Sequence, residues 1–387
     1  MIGLNSTAGY RHLDDDPPYH PRPAPFFRPR WIIKTAGSTD TPERRRLVEG
    51  ICAAYPDAEV IENLDTAHNK IKVAGSNPVE RLRRGKRTLV LAVHKSAVRH
   101  SCEKCDGCPN YTHFSPYGFC PYDCAYCYLA GTPGVWFSPT VKIFVNLDEI
   151  LGEIDRKARR IGREWAFYLG KLQDGLALDP LSGYSRRLVP FFAGHRFARM
   201  TVLTKSTAVE NLLDLDHRGR TILSWSLNLP EVGRKFERNA PPVEDRIEAI
   251  EKCAREGYPV RAIIMPIIPV DGWQDMYRRF VEGLLARVPL ERITLGGICS
   301  FSTALRLTEL KLTRRNPISL RLDRRSKRSG DGRTRFPQPL RVEFYGELID
   351  AIRQARPELE IGLCLEDRST FALLGIEGSI GRCNCVL

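Results

Sequence analysis

The segment Cys120-Pro-Tyr-Asp-Cys124-Ala-Tyr-Cys127 places three cysteines on one short stretch of the chain. Three thiolates on a single loop can hold three irons of a [4Fe–4S] cluster, and the fourth iron then lacks a protein ligand. An amino acid such as methionine can bind that open iron through its amine and carboxylate. A structural zinc site more often has paired Cys-x2-Cys units and a fourth ligand, so the spacing favours the cluster over zinc or unliganded thiols.

Short apolar strands alternate with longer amphipathic helices along the rest of the chain. This alternation predicts parallel βαβ units, with the active site at the carboxyl ends of the strands. With a first strand near residues 113–115 there are about six units, fewer than the eight of a closed barrel. The later strands are predicted at 166–172, 200–204, 221–227, 260–268, 292–298 and 359–365, and helices at 147–160, 245–256, 273–285 and 343–353.

The sequence divides into four parts. Residues 1–30 are rich in proline and predict an irregular or disordered tail, and residues 31–95 predict a small N-terminal αβ domain. Residues 96–366 predict the partial barrel, with the three-cysteine loop and a basic segment at 311–335. Residues 367–387 form a C-terminal tail that carries two further cysteines.

Composition limits the class of protein. The chain has 387 residues, of which 42% are hydrophobic, enough for a substantial core. It has no apolar run approaching the roughly 18 residues of a membrane helix and no N-terminal signal segment, so we expect a cytoplasmic protein without membrane contact. The 59 Lys and Arg against 46 Asp and Glu give a net charge of +13. This excess suits nucleic acid, although a generically basic protein has the same composition.

Twelve cysteines in a cytoplasmic chain indicate metal or redox chemistry rather than disulfides. Cys102, Cys105 and Cys108 predict a second metal site, either an iron–sulfur cluster or zinc, with Cys383 or Cys385 as the fourth ligand. The alternative is that these thiols are exposed and unliganded. Buried structural thiols are expected at the remaining positions outside the motif: Cys52, Cys253, Cys299 and Cys364.

The motif resembles the signature of the radical S-adenosylmethionine (SAM) superfamily, with Tyr126 directly before the third cysteine. Other pieces resemble the spore photoproduct lyase family and cover most of residues 31–365. The resemblance implies a partial (β/α)6 barrel of the TIM type with a [4Fe–4S] cluster and SAM as cofactors. These pieces are Asn69-Lys-Ile, Leu89-Val-Leu-Ala-Val, Val145-Asn-Leu-Asp-Glu-Ile, Asp179-Pro-Leu-Ser-Gly, Leu203-Thr-Lys205, Trp225-Ser226-Leu-Asn228 and the stretch from Ala249 to Gly257-Tyr-Pro.

The resemblance also implies an activity. That family uses a 5′-deoxyadenosyl radical to abstract a hydrogen from the bridge of a thymine–thymine adduct in DNA, and then splits the adduct. The implied partners are DNA and an electron donor such as flavodoxin or ferredoxin. Two alternatives stay open: a radical SAM enzyme acting on a small molecule, peptide or RNA, and a metal-binding protein without catalysis.

Five residues take roles from the family by position. Lys205 and Ser226 are expected to contact the carboxylate and ribose of SAM, and Asn228 to assist them. Tyr126 and Tyr128 are expected beside the cluster and its SAM, Tyr128 as part of a hydrogen-transfer relay. The alternatives are a solvated lysine at Lys205, a turn hydroxyl at Ser226 and packing aromatics at Tyr126 and Tyr128.

The sequence departs from the family at the hydrogen donor. The family has a hydrogen-donating cysteine on the second strand, whereas the alignment puts Lys171 at that position. An ammonium group cannot supply a hydrogen atom, and thiols and phenols can. We therefore expect either that Cys299 acts with Tyr128 as the donor, or that the substrate differs and no cysteine is needed. Packing in the core is the alternative role of Cys299.

Two segments concentrate positive charge. Residues 311–335 contain ten basic residues against two acidic ones. In the resembled family a loop in this region enters the DNA, so we expect this segment to bind nucleic acid. A second basic cluster lies at residues 81–87. A solvated linker is the alternative for the first segment.

Overall fold

The structure of the protein is a computed structural model that describes residues 19–322 and 332–387. Residues 1–18 and 323–331 lie outside the described residues. Most of the predicted irregular tail and the centre of the basic segment at 311–335 therefore receive no structural description.

The described residues contain strands that belong to two main sheets and two small ones. In chain order the strands are β1 (Trp31–Thr35), β2 (Glu59–Asn63), β3 (Thr88–Ala92), β4 (Val98–Ser101), β5 (Tyr111–Phe114), β6 (Tyr117–Gly118), β7 (Asp123–Cys124), β8 (Val141–Phe144), β9 (Trp165–Leu169), β10 (Ala198–Thr204), β11 (Thr221–Leu227), β12 (Glu237–Arg238), β13 (Val260–Ile264), β14 (Arg292–Leu295), β15 (Cys299–Ser300), β16 (Thr334–Arg335) and β17 (Glu360–Leu363).

Helices connect these strands and cover the sheets. They are α1 (Pro42–Ala53), α2 (Pro78–Lys86), α3 (Pro133–Phe137), α4 (Leu147–Ile161), α5 (Asp179–Ser182), α6 (Ser185–Gly194), α7 (Pro230–Phe236), α8 (Val243–Arg255), α9 (Trp273–Arg287), α10 (Ser302–Leu312), α11 (Pro317–Arg321), α12 (Gln338–Ala355) and α13 (Arg368–Leu373). No helix of the described part of the chain is long and apolar enough to cross a membrane.

The larger sheet is the partial barrel. Its strand order is β17-β14-β13-β11-β10-β9-β5-β4, and all pairs are parallel except β4 with β5. Neighbours in the sheet follow chain order and the two ends do not pair, so the barrel stays open, as the sequence predicts. Every residue of β11 is buried, because both faces of a parallel sheet are covered.

Four predicted strands are too long at their carboxyl ends, including the one predicted at 359–365, which ends at Leu363. The strands predicted at 166–172, 260–268 and 292–298 end at Leu169, Ile264 and Leu295. The residues that follow leave the sheet and line a cavity, so their apolar character reflects burial outside a strand.

The smaller sheet has the order β2-β1-β3-β8-β6. Its first three strands come from residues 31–92, and β6 and β8 come from residues on either side of the three-cysteine motif. The chain therefore returns to the smaller sheet after residue 95, the boundary predicted from sequence. As a result, the segment between β6 and β8 starts and ends at the smaller sheet. The motif loop (residues 120–127) lies within this segment and faces the barrel.

The last six residues of the C-terminal tail, 382–387, are held by arginines of the barrel strands. Arg292 Nη1 donates to the Cys383 carbonyl oxygen at 2.7 Å. Arg261 Nη1 donates to the Val386 carbonyl oxygen at 2.6 Å. These contacts use backbone atoms of the tail, so they do not depend on its side chains.

The tail lies on the inner face of the barrel sheet. Side chains alternate along a strand, so Arg261 shares a face with Ile263, which lines the cavity. On the last strand, a Cβ added to Gly362 would lie 2.0 Å from the Arg382 carbonyl oxygen. Only glycine allows the tail to approach the strand this closely.

Candidate active site

The carboxyl ends of the parallel strands enclose a cavity of about 500 Å³, a size typical of ligand sites. The motif cysteines line one part of it: Cys120, Cys124 and Cys127. The strand ends contribute Lys205 after β10 and Ser226 on β11. The structure therefore brings together residues that the sequence predicted as cluster ligands and as SAM contacts.

Backbone hydrogen bonds hold the motif loop against the barrel. Cys124 on β7 pairs with Glu237 on β12 in an antiparallel register, and Ala125 N donates to the Phe236 carbonyl at 2.6 Å. The three motif thiols are free. The loop is therefore fixed through its main chain, and its thiols stay available as ligands.

Two lysines hold the motif loop from outside the barrel. Lys86 at the end of α2 donates to the Cys120 carbonyl at 2.7 Å and to the Tyr122 carbonyl. Lys311 Nζ lies 2.5 Å from Asp123 Oδ1. Positive charge close to cysteines favours their thiolate form, which is the form that binds metals.

The donor set of the motif loop fits a [4Fe–4S] cluster. Soft thiolate ligands select iron–sulfur clusters, zinc or copper(I), and three thiols on one loop leave one iron of a cluster open. Among residues 19–322 and 332–387, no group of three or more His, Cys, Asp or Glu side chains is arranged to hold a single metal ion. A cluster is wider than one ion, so its ligands need not converge on one point. Burial, followed by the Glu237 charge, raises the pKa of Cys124 to about 12, so iron binding must release its proton.

A buried carboxylate, Glu237, organises the polar side of the cavity. Its Oε1 lies 3.3 Å from Lys205 Nζ and accepts a hydrogen bond from Tyr126 OH. Its Oε2 lies 2.5 Å from Arg246 Nη2. Burial alone would raise the pKa of Glu237, but the charges of Lys205 and Arg246 outweigh it and lower that pKa to about 2. Glu237 is therefore ionised and orients Lys205, which also donates to Ser226 Oγ.

A second buried carboxylate shapes the ends of β9 and β10. Asp174 Oδ1 accepts from Thr204 Oγ1 at 2.6 Å, and Oδ2 accepts from the Lys205 amide at 2.8 Å. The sequence analysis missed both Glu237 and Asp174 as site residues. No local spacing distinguishes them from surface acids, because their partners come from distant elements.

Asn228 is not on the cavity wall. Its side-chain amide donates to the Pro266 carbonyl at 2.7 Å, and its oxygen accepts from Tyr277 OH at 2.6 Å. The residue is fully buried and its bonds join β11 to neighbouring segments. This position does not support the predicted contact with SAM, because its side chain is committed to holding the backbone.

The other predicted catalytic residues line the cavity. Tyr126 lies beside Glu237, and Tyr128 follows the motif with 36% of its surface exposed. Cys299 on β15 is 7% exposed and accepts a hydrogen bond from the Arg333 side chain. Cys299 is therefore both buried and at the cavity, which combines the two roles that the sequence left open.

Lys171 forms part of a half-buried ion network on the cavity wall. Its Nζ lies 2.9 Å from Glu103 Oε1, and Arg333 Nη2 lies 2.7 Å from Glu103 Oε2. Burial alone would raise the pKa of Glu103, but hydrogen bonds and charges from Lys171 and then Arg333 lower it to about 2. The residue at the position of the family's donor cysteine is thus a fixed cation.

The structure does not arrange Cys102, Cys105 and Cys108 as metal ligands. Cys105 and Cys108 form a disulfide, and Cys102 is exposed. A disulfide leaves no thiolate at either cysteine, so the predicted metal site would require its reduction. The segment still reaches the C-terminal region, because Gly381 N donates to the Gly107 carbonyl at 3.2 Å.

Cys383 and Cys385 pack with Cys364 rather than with Cys102. The three thiols pack in one cluster, and all three line the cavity. Tyr111 and Tyr168 pack against them. We call Cys364, Cys383 and Cys385 the tail thiol cluster. The sequence analysis predicted Cys383 or Cys385 as a fourth metal ligand and Cys364 as a buried structural thiol. It did not predict that the three residues lie together.

An open parallel barrel with three free cysteines on one loop at its strand ends defines the class as a radical SAM partial barrel. A model of the family described as "Spore photoproduct lyase" matches residues 27–299. The chain belongs to the spore photoproduct lyase family.

Individual relatives agree with this membership. Spore photoproduct lyase of Bacillus subtilis is 32% identical over 227 residues, 58% of this chain and 64% of that protein. Spore photoproduct lyase of a Geobacillus species is 30% identical over 225 residues, 57% of this chain and 63% of that protein. The chain thus spans less than two thirds of the length of these relatives.

Solved structures show the same fold. Spore photoproduct lyase complexed with dinucleoside spore photoproduct gives a TM-score of 0.75 at 22% identity, covering 87% of this chain and 98% of that chain. A mutant form of spore photoproduct lyase with bound AdoMet and dinucleoside spore photoproduct gives the same values.

Proposed function

We propose that this protein is a radical SAM lyase that repairs a thymine-dimer-type DNA lesion such as spore photoproduct. One observation carries the proposal: in a chain of this family, three free motif thiols and the Lys205–Ser226 pair face the same cavity. Cys120, Cys124 and Cys127 would hold a [4Fe–4S] cluster, and the cluster with SAM would supply a 5′-deoxyadenosyl radical for hydrogen abstraction.

Lys205 and Ser226 are suited to bind the polar end of SAM. An ammonium group has three N–H donors, and Lys205 directs Nζ to Ser226 Oγ and Glu237. One N–H remains for an incoming carboxylate. Glu237 fixes the position of Lys205, so little side-chain freedom is lost when the ligand binds.

Glu237 also links the SAM contacts to the motif loop. Tyr126 OH donates to Glu237, and the backbone of Glu237 pairs with Cys124. The same residue therefore positions the cation and a ligand-bearing strand. Such coupling keeps two cofactor contacts in a fixed geometry, which radical chemistry requires.

A basic and aromatic face beside the motif loop is suited to bind DNA. On α2, Arg81 lies 4.9 Å from the Trp136 ring centroid and Arg84 lies 5.2 Å from that of Trp31. Phe137 is 73% exposed next to Trp136. Guanidinium groups bind phosphates and aromatic rings stack on bases. Lys86 of the same helix contacts the motif loop, so DNA on this face would lie near the cavity.

Three described basic residues of the segment at 311–335 are committed to internal contacts, whereas Arg314 and Arg315 are exposed. Lys311 pairs with Asp123, Arg333 pairs with Glu103, and Arg335 donates to the Leu365 carbonyl at 3.0 Å. Residues 323–331 lie outside the described part of the chain. We therefore assign the main phosphate contacts to the exposed arginines of α2, Arg83 and Arg84, rather than to Arg333 and Arg335.

The test uses anaerobically reconstituted protein with SAM and dithionite, and dinucleoside spore photoproduct as substrate. Mass spectrometry should detect 5′-deoxyadenosine together with released thymidine. An electron donor such as flavodoxin or ferredoxin should replace dithionite. Cleavage of SAM without thymidine release from the dinucleoside or from irradiated DNA would contradict the lesion assignment and favour another substrate.

A further inference from the structure

The tail thiol cluster contains three thiols that the motif loop does not need as metal ligands. Cys364 follows β17 at the carboxyl edge of the barrel, and Cys383 and Cys385 reach it from the chain terminus. Cys383 and Cys385 pack together with Cys364. Three thiols therefore face the same cavity as the motif cysteines, from a separate part of the wall.

The proposed reaction needs a group with this chemistry. After hydrogen abstraction and bond cleavage, a carbon-centred substrate radical must receive a hydrogen atom. A thiol S–H bond is weak enough to supply one, whereas the ammonium of Lys171 cannot, and it is bound to Glu103. In the described residues, the cysteines outside the motif loop that line the cavity and form no disulfide are Cys299 and the tail thiol cluster.

We propose that the tail thiol cluster is the hydrogen-atom donor that ends the substrate-radical step. This inference rests on the proposed function. Cys299 contacts the Arg333 guanidinium, whereas the cluster packs with the phenols of Tyr111 and Tyr168. The cluster therefore combines several S–H groups with neighbouring O–H groups that can renew a lost hydrogen.

The step balances as a hydrogen-atom transfer. One S–H bond of the cluster breaks, one C–H bond forms on the substrate, and a thiyl radical remains on sulfur. One electron and one proton restore the thiol. The electron comes from the one-electron reductant that the proposed reaction already consumes, dithionite in the test or a flavodoxin or ferredoxin.

Solvent deuterium tests the assignment. Thiol hydrogens exchange with D₂O, so thymidine released from dinucleoside spore photoproduct by the wild-type protein in D₂O should carry deuterium. In the Cys364→Ser/Cys383→Ser/Cys385→Ser variant, deuterium per thymidine should fall at least tenfold, while 5′-deoxyadenosine formation stays within twofold. Serine keeps the size and hydrogen bonding, and Arg292 and Arg261 hold the tail by its carbonyls, so the variant should fold.

Two further variants make the result specific. Cys253→Ala removes a buried thiol on α8, outside the cavity, and should leave the deuterium content unchanged. Loss of label in Cys299→Ala instead of the triple variant would overturn the proposal, as would an unchanged label in the triple variant. Absence of thymidine with the wild-type protein would instead reject the proposed function.

A second measurement does not depend on turnover. Iodoacetamide modification of metal-free protein, mapped by mass spectrometry, should be at least fivefold slower at Cys383 and Cys385 when dinucleoside spore photoproduct is bound. Cys52, which lies outside the cavity, should react equally with and without it. Equal modification of Cys383 and Cys385 in both conditions would show that the cluster does not meet the substrate.

Discussion

The motif loop and the tail thiol cluster each contribute three cysteines to one cavity, yet they arise in different ways. The motif cysteines lie within eight consecutive residues, and the tail thiol cluster joins a strand end to the chain terminus. Lys86, Lys205 and Lys311 lie near the motif loop, whereas Tyr111 and Tyr168 pack on the cluster. The two groups of thiols therefore differ in their neighbours, which are cations beside the motif loop and phenols beside the tail thiol cluster.

The three residues of the tail thiol cluster differ in protonation, because interactions with Cys364 and then Cys385 lower the pKa of Cys383 well below the ordinary range of a thiol. Hydrogen bonds to Cys383, followed by burial, raise the pKa of Cys364 well above the ordinary range of a thiol. The same causes raise the pKa of Cys385. Both residues therefore keep the S–H bond on which hydrogen-atom transfer depends.

The largest effect is expected at the motif loop. Cys124→Ala should abolish reductive cleavage of SAM, because one iron loses its thiolate. The assay is 5′-deoxyadenosine formation by anaerobically reconstituted protein, with iron and sulfide counted for each variant. Cys385→Ser is the matched control and should retain cleavage. Cleavage at the wild-type rate in Cys124→Ala would remove the distinction between the two groups of cysteines.

Removal of the cation near the motif loop should weaken SAM binding. Lys205→Ala deletes a charged hydrogen-bond donor worth about 1.5–3 kcal/mol, so the KM for SAM should rise roughly 10- to 100-fold. Glu237→Gln should raise it too, because Lys205 loses its partner. Lys235→Ala on the exposed face of α7 should leave KM unchanged. A KM in Lys205→Ala equal to that of wild type would place SAM elsewhere in the cavity.

The ion network beside the tail thiol cluster should respond to acid. The pKa of Glu103 lies at about 2 in the folded protein, below its ordinary value of 4.5. Its stabilising contribution is therefore complete above about pH 4.5 and is lost as the pH falls towards 2. The stability difference between wild type and Glu103→Gln should be about 1–3 kcal/mol at pH 7 and should shrink below pH 4.5. Chemical denaturation at several pH values measures it, and a difference independent of pH would contradict the ion network.

The smallest effect is expected on the proposed DNA-binding face of α2, next to the motif loop. Each phosphate contact changes the slope of log K against log salt by about 0.7–0.9. The Arg83→Ala/Arg84→Ala variant should therefore flatten the slope by roughly 1.4–1.8. Arg159→Ala/Arg160→Ala, on the last turn of α4, is the charge-matched control. An equal loss of slope in both variants would mean that DNA binding follows net charge rather than this face.

Sequence patterns predicted the regular parts of the fold well. The strand predicted at 221–227 is found at those residues, and the alternation of strands and helices predicted an open parallel barrel. The strands ending at Leu169, Ile264 and Leu295 were predicted too long, because residues that line a cavity are as apolar as residues of a buried strand. The apolar pattern indicates that residues are buried, but it does not distinguish a buried strand from the wall of a cavity.

The spacing of Cys120, Cys124 and Cys127 by itself predicted the proposed cluster site, because ligands within eight residues are brought together by local backbone geometry alone. Glu237, Asp174 and the tail thiol cluster depend on the tertiary structure. Their partners lie on different strands or at the chain terminus, and only the order of strands in the sheet and the packing of the tail bring them within hydrogen-bonding distance. No short-range pattern encodes such contacts, since each side chain is ordinary in its own segment and becomes functional through its neighbours in space.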